Sequence, residues 1–334
     1  MIEFHQVSKV FAGKAAVRNL TLHIEKGSFT VLIGTSGSGK STTPMMINRL
    51  VELDSGEIRF AGEAIERMDA RALRRRIGYA IQSIGLFPHW NVAKNIATVP
   101  ALLGWPKAKI NQRVDELLAL LNLDAQLASR FPHQLSGGQQ QRVGVARALA
   151  ADPELLLMDE PFGALDPVNR QALQQEMLRI QKLSGRTVVL VTHDIDEALT
   201  LADQLVLMDG GEIVQQGRPI ELLTQPATEF AREFFGRSEL GVRLLALGRA
   251  GSAARRGEWL EAEPIAATPT LREALSQFVA RRTDTLPAVD QHHQPLGVLP
   301  FSDLLRQLES TCCARCALHC PGCSWHICPC FGVF

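Results

Sequence analysis

The sequence predicts an α/β fold built on a parallel sheet. Two continuous apolar runs, ELLLMDE at 154–160 and TVVLVTH at 187–193, have the composition of strands that are buried on both faces. A third run, FTVLIG at 29–34, leads directly into a glycine-rich loop. Because ligands bind at the carboxyl ends of strands in such sheets, the polar residues that end these runs are expected to lie together.

The glycine-rich loop has the spacing of a phosphate-binding P-loop. The stretch VLIGTSGSGKSTTP contains Gly34-x-x-x-x-Gly39-Lys40-Ser41, after a strand and before a helical segment. Its glycines let backbone N–H groups point inward, and the helix that follows adds free N–H groups and the positive end of its dipole. The alternative is a glycine-rich turn that matches by chance. Pro44 lies at or just past the first helical turn, so a kink or a loss of helix stability is expected there.

Composition and charge argue against several classes of protein. Lysine and arginine (35) balance aspartate and glutamate (35), so no electrostatic argument favours nucleic acid as a partner. No apolar run approaches the ~18 residues of a membrane span, and the N-terminus MIEFHQVSKVF lacks the pattern of a signal peptide. We therefore expect a cytosolic protein that reaches a membrane only through a partner. The arginine-rich run 71–76 is interpreted as a solvated helix face, with an anion site as the alternative.

The sequence predicts several regions along the chain. Residues 1–235 contain the apolar runs and the P-loop, and about 89–150 within them has helical periodicity. Residues 236–262 are rich in Gly, Ala and Arg, which predicts a linker. A small α/β unit is expected over 263–308. The tail, 309–334, contains all seven cysteines.

Four polar side chains end predicted strands. Asp159 and Glu160 end the run 154–160, where the first carboxylate can hold Mg²⁺ and the second can accept a proton from water. The alternative is a helix cap at the end of the strand. His193 ends another run at the same expected edge and can reach a γ-phosphate there, although a lone histidine is often structural. Gln82 ends the short strand IGYAIQ and offers an amide to metal or water.

A second loop also has the character of an anion site. Leu135 to Arg142 read LSGGQQQR, in which a serine and two glycines precede a helical segment. A single subunit cannot easily bring this loop and the P-loop onto one nucleotide. We therefore expect a two-fold dimer in which the second loop of each subunit covers the ATP of the other.

The order and spacing of these motifs resemble those of ATP-binding-cassette (ABC) ATPases over about 1–235. The matching elements are the P-loop, Gln82, LSGGQQQR, LLLMDE, Ala164-Leu165-Asp166 and His193. The resemblance implies an α/β P-loop NTPase cassette that uses ATP and Mg²⁺. It also implies a RecA-like core with an antiparallel β subdomain and an α-helical subdomain.

The resemblance further implies a role for each matched residue. Lys40 holds the β- and γ-phosphates, Glu160 is the general base, and His193 orients the γ-phosphate and water. Phe11 lies where the family stacks an aromatic ring on adenine, with a place in the core as the alternative. The nucleotide-binding set implied in this way is Phe11, Gly34, Thr35, Ser36, Gly37, Ser38, Gly39, Lys40, Ser41, Thr42, Gln82, Ser136, Gly137, Gly138, Gln139 and Asp166.

The metal site and the dimer contacts follow from the same resemblance. Ser41, Gln82 and Asp159 are expected to organise Mg²⁺. Ser136 and Gly138 are expected to act across the dimer, while Asp166 couples the two sites.

Two further stretches indicate which kind of ABC ATPase the chain resembles. Residues 46–50 (MINRL) and the segment IGLFPHWNVAKNIATVP resemble ATPases of bacterial importers for quaternary ammonium osmoprotectants such as glycine betaine and choline. This implies a homodimer on the cytoplasmic face of the inner membrane, bound to an integral membrane permease through 83–95. A periplasmic or lipid-anchored solute-binding protein would act indirectly. The alternatives are an importer of another small solute such as an amino acid, a soluble ABC ATPase, or a regulatory module without turnover.

The C-terminal part resembles one further family. The unit at 263–308 is similar to a single CBS motif, and residues 269–305, which begin PTLREALSQF, carry this resemblance. Such ATPases often carry a pair of these motifs. Beyond this unit, Cys313-x-x-Cys316 and Cys320-x-x-Cys323 suggest zinc, but only three residues separate the two pairs. We therefore expect a disordered tail over 309–334, with a zinc site as the alternative.

Overall fold

The computed structural model describes residues 1–81, 85–163, 165–236 and 239–304. The chain divides into two units. The larger covers Met1–Leu222 and Pro226–Phe234, and the smaller covers Leu223–Gln225 and the chain from Phe235 onward. No helix in these described ranges is long and apolar enough to cross a membrane.

The described elements as far as Phe234 combine strands and helices. The strands are β1 (Ile2–Phe11), β2 (Lys14–Ile24), β3 (Phe29–Gly34), β4 (Ser55–Phe60), β5 (Glu63–Ala64), β6 (Ile77–Ala80), β7 (Leu155–Asp159), β8 (Thr187–Val191), β9 (Gln204–Asp209) and β10 (Glu212–Gly217). The helices are α1 (Thr42–Ile47), α2 (Ala70–Arg76), α3 (Val92–Leu102), α4 (Lys107–Leu120), α5 (Gly137–Leu149), α6 (Pro167–Ser184), α7 (Ile195–Leu201), α8 (Pro219–Thr224) and α9 (Glu229–Phe234).

A six-stranded sheet forms the centre of the larger unit, in the order β10-β9-β3-β8-β7-β6. All its pairings are parallel except β9 with β10, which forms the hairpin at one edge. Every residue of β3, β7 and β8 is buried. The parallel sheet predicted from the continuous apolar runs is therefore confirmed. Its topology places the carboxyl ends of β3, β7 and β8 side by side, where the polar residues follow.

A second sheet is antiparallel, in the order β2-β1-β4-β5. Alternating side chains of β1, β2 and β4 are buried, among them Phe4, Leu22 and Phe60. They share one apolar cluster with residues of the central sheet such as Leu157 and Val189. This shared core holds β2 beside the end of the glycine-rich loop, at Gly39.

The segment between β6 and β7 is helical, as predicted for about 89–150. Its helices α3, α4 and α5 pack on one another, and short 3₁₀ turns precede α5. Val114, Leu117, Leu118 and Leu121 are buried, as their 3.6-residue periodicity indicated, whereas Ile110 is only half-buried. This packing places the N-terminus of α5, which follows Ser136, at the surface of the larger unit.

The smaller unit has its own core. Its described elements are α10 (Leu240–Leu247), α11 (Ala250–Ala253), β11 (Ile265–Ala266), α12 (Leu271–Arg281), β12 (Thr285–Val289) and β13 (Pro295–Pro300). The three strands form a sheet in the order β11-β12-β13. Thr270 and Glu273 form a capping box that starts α12.

Part of the segment predicted to be a linker, 236–262, belongs to this core. Leu245 of α10 and Ala250 and Ala253 of α11 are buried against α12 and the sheet. The glycine- and alanine-rich composition reflects close packing rather than a flexible connection. A Cβ at Gly251, for example, would lie 2.5 Å from the Cβ of Ala267. The cysteine-rich tail, for which a disordered segment or a zinc site was predicted, lies outside the described residues.

Candidate functional site

The glycine-rich loop runs from Gly34, the last residue of β3, to α1, and it surrounds the side chain of Lys40. Lys40 is 7% exposed, and its Nζ donates hydrogen bonds to the carbonyl oxygens of Gly34 (2.9 Å) and Thr35 (2.5 Å). Gly39 has φ +94°, and a Cβ there would lie 2.4 Å from the carbonyl oxygen of Ala16 in β2. Only glycine therefore allows the loop to pass this close to β2.

Lys40 is a desolvated cation beside two carboxylates. Burial lowers the pKa of Lys40, and the nearby charges of Glu160 and Asp159 act in the opposite direction and raise it. A buried ammonium group in a loop of backbone N–H groups is suited to phosphate oxygens. The site therefore fits the triphosphate of a nucleotide.

The other residues of the glycine-rich loop differ in their solvent exposure. Thr35, Ser36 and Gly37 are exposed, whereas Ser38 is buried. The hydroxyl of Thr35 donates to Oδ1 of Asp209, at the end of β9, over 2.5 Å. Asp209 thus anchors the exposed part of the loop. The sequence analysis missed this residue, although it ends an apolar run just as Asp159 does.

Helix α1 begins at Thr42 and accommodates Pro44. The proline is buried and is the third residue of a helix that ends at Ile47. A proline in the first turn has no N–H to lose from the helix ladder, so α1 forms despite it. Thr42 itself is half-buried at the start of the helix.

A hydroxyl and a carboxylate lie together at the carboxyl end of the sheet. The Oγ of Ser41 donates to Oδ1 of Asp159 over 3.1 Å. Burial raises the pKa of Asp159, which is 3% exposed, while the hydrogen bond from Ser41 lowers it. Oxygen ligands of this kind suit Mg²⁺, and a cation would offset the burial of the carboxylate. The pair therefore fits the predicted magnesium site. Gln82, the third predicted ligand, lies outside the described residues.

Glu160 and His193 meet at the same edge. Nδ1 of His193 lies 3.1 Å from Oε1 of Glu160. Glu160 has φ +47°, and its backbone N–H donates to the carbonyl oxygen of Val191 (2.9 Å) in β8. A left-handed conformation is costly for a residue other than glycine, and here the neighbouring strand holds it in place. The sheet thus brings Lys40, Ser41, Asp159, Glu160 and His193 together, as the sequence predicted.

The second loop begins α5 with a capping box. Oγ of Ser136 accepts from the backbone N–H of Gln139 (3.3 Å), and Oε1 of Gln139 accepts from the backbone N–H of Ser136 (2.9 Å). Ser136 and Gly137 are exposed, and Gly138 and Gln139 are half-buried. The two capping hydrogen bonds of Ser136 and Gln139 join residues in the first turn of α5. This loop therefore presents the N-terminus of α5 at the surface, and the positive end of the helix dipole there suits an anion from another molecule.

Asp166 caps α6. Its carboxylate accepts from the backbone N–H (3.0 Å) and side-chain amide of Asn169, and these hydrogen bonds lower the pKa of Asp166. Asn169 also accepts a hydrogen bond from Arg142 of the LSGGQQQR segment. The preceding residue, Leu165, is buried, and a Cβ on Gly138 would lie 2.9 Å from its Cδ2. The loop that carries Asp166 is thus packed against the second loop.

Phe11 lies at the end of β1, opposite Lys14 in the β1–β2 hairpin. Its side chain is 46% exposed, and Nζ of Lys9 lies 5.3 Å from the centre of its ring. The alternative place in the core is therefore wrong. An exposed ring is compatible with stacking on a base.

The parallel sheet, the P-loop and the two strand-end carboxylates define a P-loop ATP-binding cassette. The ABC transporter family matches residues 17–163 of the chain. A relative of 67% identity over 305 residues covers 91% of this chain and 99% of its own length. The chain belongs to the ATP-binding subunits of the ABC transporter family.

That relative is the glycine betaine uptake system ATP-binding protein YehX of Escherichia coli (strain K12). The glycine betaine/carnitine/choline transport ATP-binding protein OpuCA of Bacillus subtilis (strain 168) is 48% identical over 296 residues, which are 88% of this chain and 76% of that protein. Among solved structures, the ATP-binding cassette MJ0796, a dimer in a post-hydrolysis state bound to ADP and Pi, has a TM-score of 0.61 and 32% identity. The match covers 66% of this chain and 99% of the chain in that structure.

Proposed function

We propose that this protein binds and hydrolyses ATP to energise an importer of quaternary ammonium osmoprotectants. The observation that carries the proposal is the meeting of Glu160 and His193, 3.1 Å apart, beside Lys40 and the Ser41–Asp159 pair. A carboxylate next to a phosphate-binding loop can act as the general base that activates water. A regulatory module without turnover would not need this arrangement.

Each residue of the site has a distinct task in this mechanism. Lys40 and the loop N–H groups bind the β- and γ-phosphates. Ser41 and Asp159 hold Mg²⁺, which supplies positive charge against the phosphate oxygens. The carboxylate of Glu160 accepts a proton from the attacking water. His193 orients that carboxylate and the γ-phosphate relative to each other. Phe11 stacks on the adenine.

The second loop acts across a dimer. Ser136, Gly137, Gly138 and Gln139 present the exposed N-terminus of α5, and their capping bonds stay within one turn. In a two-fold dimer, this end of α5 closes over the γ-phosphate bound by the other subunit. The dimeric arrangement of the related cassette MJ0796 supports this assembly.

The class of transported solute is inferred from the relatives of this chain. Proteins named for glycine betaine, carnitine and choline transport are 67% and 48% identical to this chain. We assign the same class of solute to this protein, which binds none itself. It acts on the cytoplasmic face of the inner membrane through an integral membrane permease, and a periplasmic or lipid-anchored binding protein delivers the solute.

The permease contact lies in the segment after β6. Of the predicted contact, residues 85–95 are described. Phe87, His89 and Trp90 form an aromatic group there, with ring centres 4.6–6.2 Å apart. Phe87 and His89 are exposed, and Phe87 lines a pocket together with Tyr79 and Arg147. An exposed aromatic surface of this kind suits a protein partner.

The smaller unit is assigned as a single CBS-like module. Helix α12 and strands β12 and β13 lie within residues 269–305, the stretch that resembles the motif. A second copy from the other subunit would be needed for a complete ligand cleft.

Reconstitution tests the transport proposal. The chain is assembled with the permease and binding protein encoded beside its gene, and ATP hydrolysis is measured with glycine betaine, choline or an amino acid. We expect stimulation by the quaternary ammonium compounds only. Stimulation by the amino acid would favour the other importer class, and turnover that no permease affects would favour a soluble ATPase. The Glu160→Gln protein serves as the control for contaminating ATPases.

A further inference from the structure

The guanidinium group of Arg170 contacts two segments near the site, the loop before α6 and the residues that follow His193. Arg170 lies in the first turn of α6, and its Nη2 donates to the carbonyl oxygen of Leu165 over 3.3 Å. Its Nη1 donates to Oδ2 of Asp194 over 3.3 Å, and its Nε lies 3.9 Å from Oε1 of Glu197. Arg170 therefore connects the loop before α6 to the segment that follows His193.

The loop end of this connection leads to the LSGGQQQR segment. Leu165 packs on Gly138, where even a methyl group would lie 2.9 Å from its Cδ2. Asn169, next to Arg170, binds Arg142 of the same segment as well as Asp166. A shift of the second loop would therefore move Leu165 and Asp166 with it.

The other end of the connection determines where His193 lies. Asp194 caps α7 by accepting from the N–H of Glu197 (3.1 Å), and its own N–H donates to Oγ1 of Thr192 (3.0 Å). That hydroxyl donates to Oε2 of Glu197 over 2.7 Å. The N–H of Thr192 donates to the carbonyl oxygen of Leu32 in β3. His193 is held between two residues of this network.

We infer that Arg170 is a positioning residue that couples the second loop to His193. This inference rests on the proposed function, in which the second loop covers the nucleotide of the partner and His193 acts on the chain's own. Arg170 then links the two nucleotides of the dimer through Gly138, Leu165 and Asp194. An arginine suits this task because its planar fork offers donors in several directions, whereas lysine offers one compact ammonium group.

The primary test compares two arginines of α6. Arg170→Met removes the connection. Arg179→Met removes an exposed arginine whose ion-pair partner, Glu176 (3.6 Å), lies on the same helix. We expect Arg170→Met to lower kcat about tenfold or more while KM for ATP changes less than about threefold, because ATP contacts are kept. Arg179→Met should match the wild type, and Arg170→Lys should recover only part of kcat.

A second variant tests whether Arg170 acts by positioning His193 or only by stabilising the folded protein. Asp194→Asn keeps a good N-cap for α7 but removes the charge that faces Arg170. We expect it to lower kcat with little change in melting temperature. The double variant Arg170→Met/Asp194→Asn should be no slower than Arg170→Met, since both changes break one connection.

The outcomes distinguish the inference from the proposed function. Wild-type kcat in folded Arg170→Met protein, or additive losses in the double variant, would overturn the inference while the ATPase proposal stands. If Arg170→Met does not fold, Asp194→Asn decides, and an unchanged kcat there overturns the inference. A wild-type protein without ATP hydrolysis would instead contradict the proposed function.

Discussion

Nδ1 of His193 lies 3.1 Å from Oε1 of Glu160, although the two residues are 33 positions apart in the chain. The reason is the parallel register of β7 and β8, in which Asp159 pairs with Val191. The chain leaves both strands at the same edge, and the backbone N–H of Glu160 still bonds Val191. The distance between Glu160 and His193 is therefore determined by the sheet and not by a flexible loop.

Glu160→Gln should abolish turnover and leave ATP binding intact. The amide keeps the size and the hydrogen bond to His193 but cannot take a proton, so kcat should fall on the order of 10²–10⁴-fold. Loss of a negative charge near the γ-phosphate should also favour an ATP-bound dimer. Steady-state hydrolysis and size-exclusion chromatography with ATP check both results. A mutant that turns over at the wild-type rate would contradict the role of Glu160.

Ser136→Arg and Lys40→Ala should complement each other. If Ser136 acts on the nucleotide of the partner, a mixed dimer contains one site with both defects and one site with neither. Mixtures should therefore hydrolyse ATP faster than either homodimer, with tagged subunits used to show that heterodimers form. Equal inactivity of heterodimers and homodimers would argue against action across the dimer.

Gly39→Ala should damage the P-loop more than Gly13→Ala damages its hairpin. Both glycines have positive φ (+94° and +80°), which costs an alanine about 1–2 kcal/mol. Only Gly39 has a close neighbour, since its Cβ would lie 2.4 Å from the carbonyl oxygen of Ala16, whereas Gly13 has nothing within 4 Å. Thermal melting and ATP binding measure the difference. Equal effects of the two substitutions would show that the close approach to β2 is unimportant.

Two truncations should behave differently. A chain that ends at Gly236 keeps every predicted catalytic residue, the last of which is His193, and should hydrolyse ATP at a rate close to that of the full chain. A chain that ends at Glu258 keeps α10 and α11 without α12 and the sheet, which leaves Leu245 uncovered. It should aggregate or melt at a lower temperature. A stable, monodisperse chain ending at Glu258 would contradict the assignment of α10 and α11 to the smaller core.

Much of the larger unit could be predicted because its signals are local. The runs at 29–34, 154–160 and 187–193 are apolar throughout, since their strands are buried on both faces, and the structure confirms all three. The P-loop spacing depends on backbone conformations that few residues other than glycine adopt. The family assignment is confirmed as well. The roles given to the individual site residues, Gln82, Ser136 and Asp166 among them, stay predictions.

The smaller unit was harder because its sequence is ambiguous. Residues 240–253 contain small residues that suit either a linker or a tightly packed helix pair, and composition does not distinguish the two. Only contacts with α12, such as that of Gly248 with Leu271, show which applies. Packing between distant segments decided this region.

The sequence by itself determined which residues are candidates for the chemistry: a lysine in a glycine loop, two carboxylates and a histidine that end buried strands. Such features are local, because burial and backbone conformation select residue types at each position. The tertiary structure alone decided how these groups meet. The 3.1 Å contact of His193 with Glu160, the anchoring of Thr35 by Asp209 and the bridge made by Arg170 depend on strand register and helix packing, which join residues far apart in the chain.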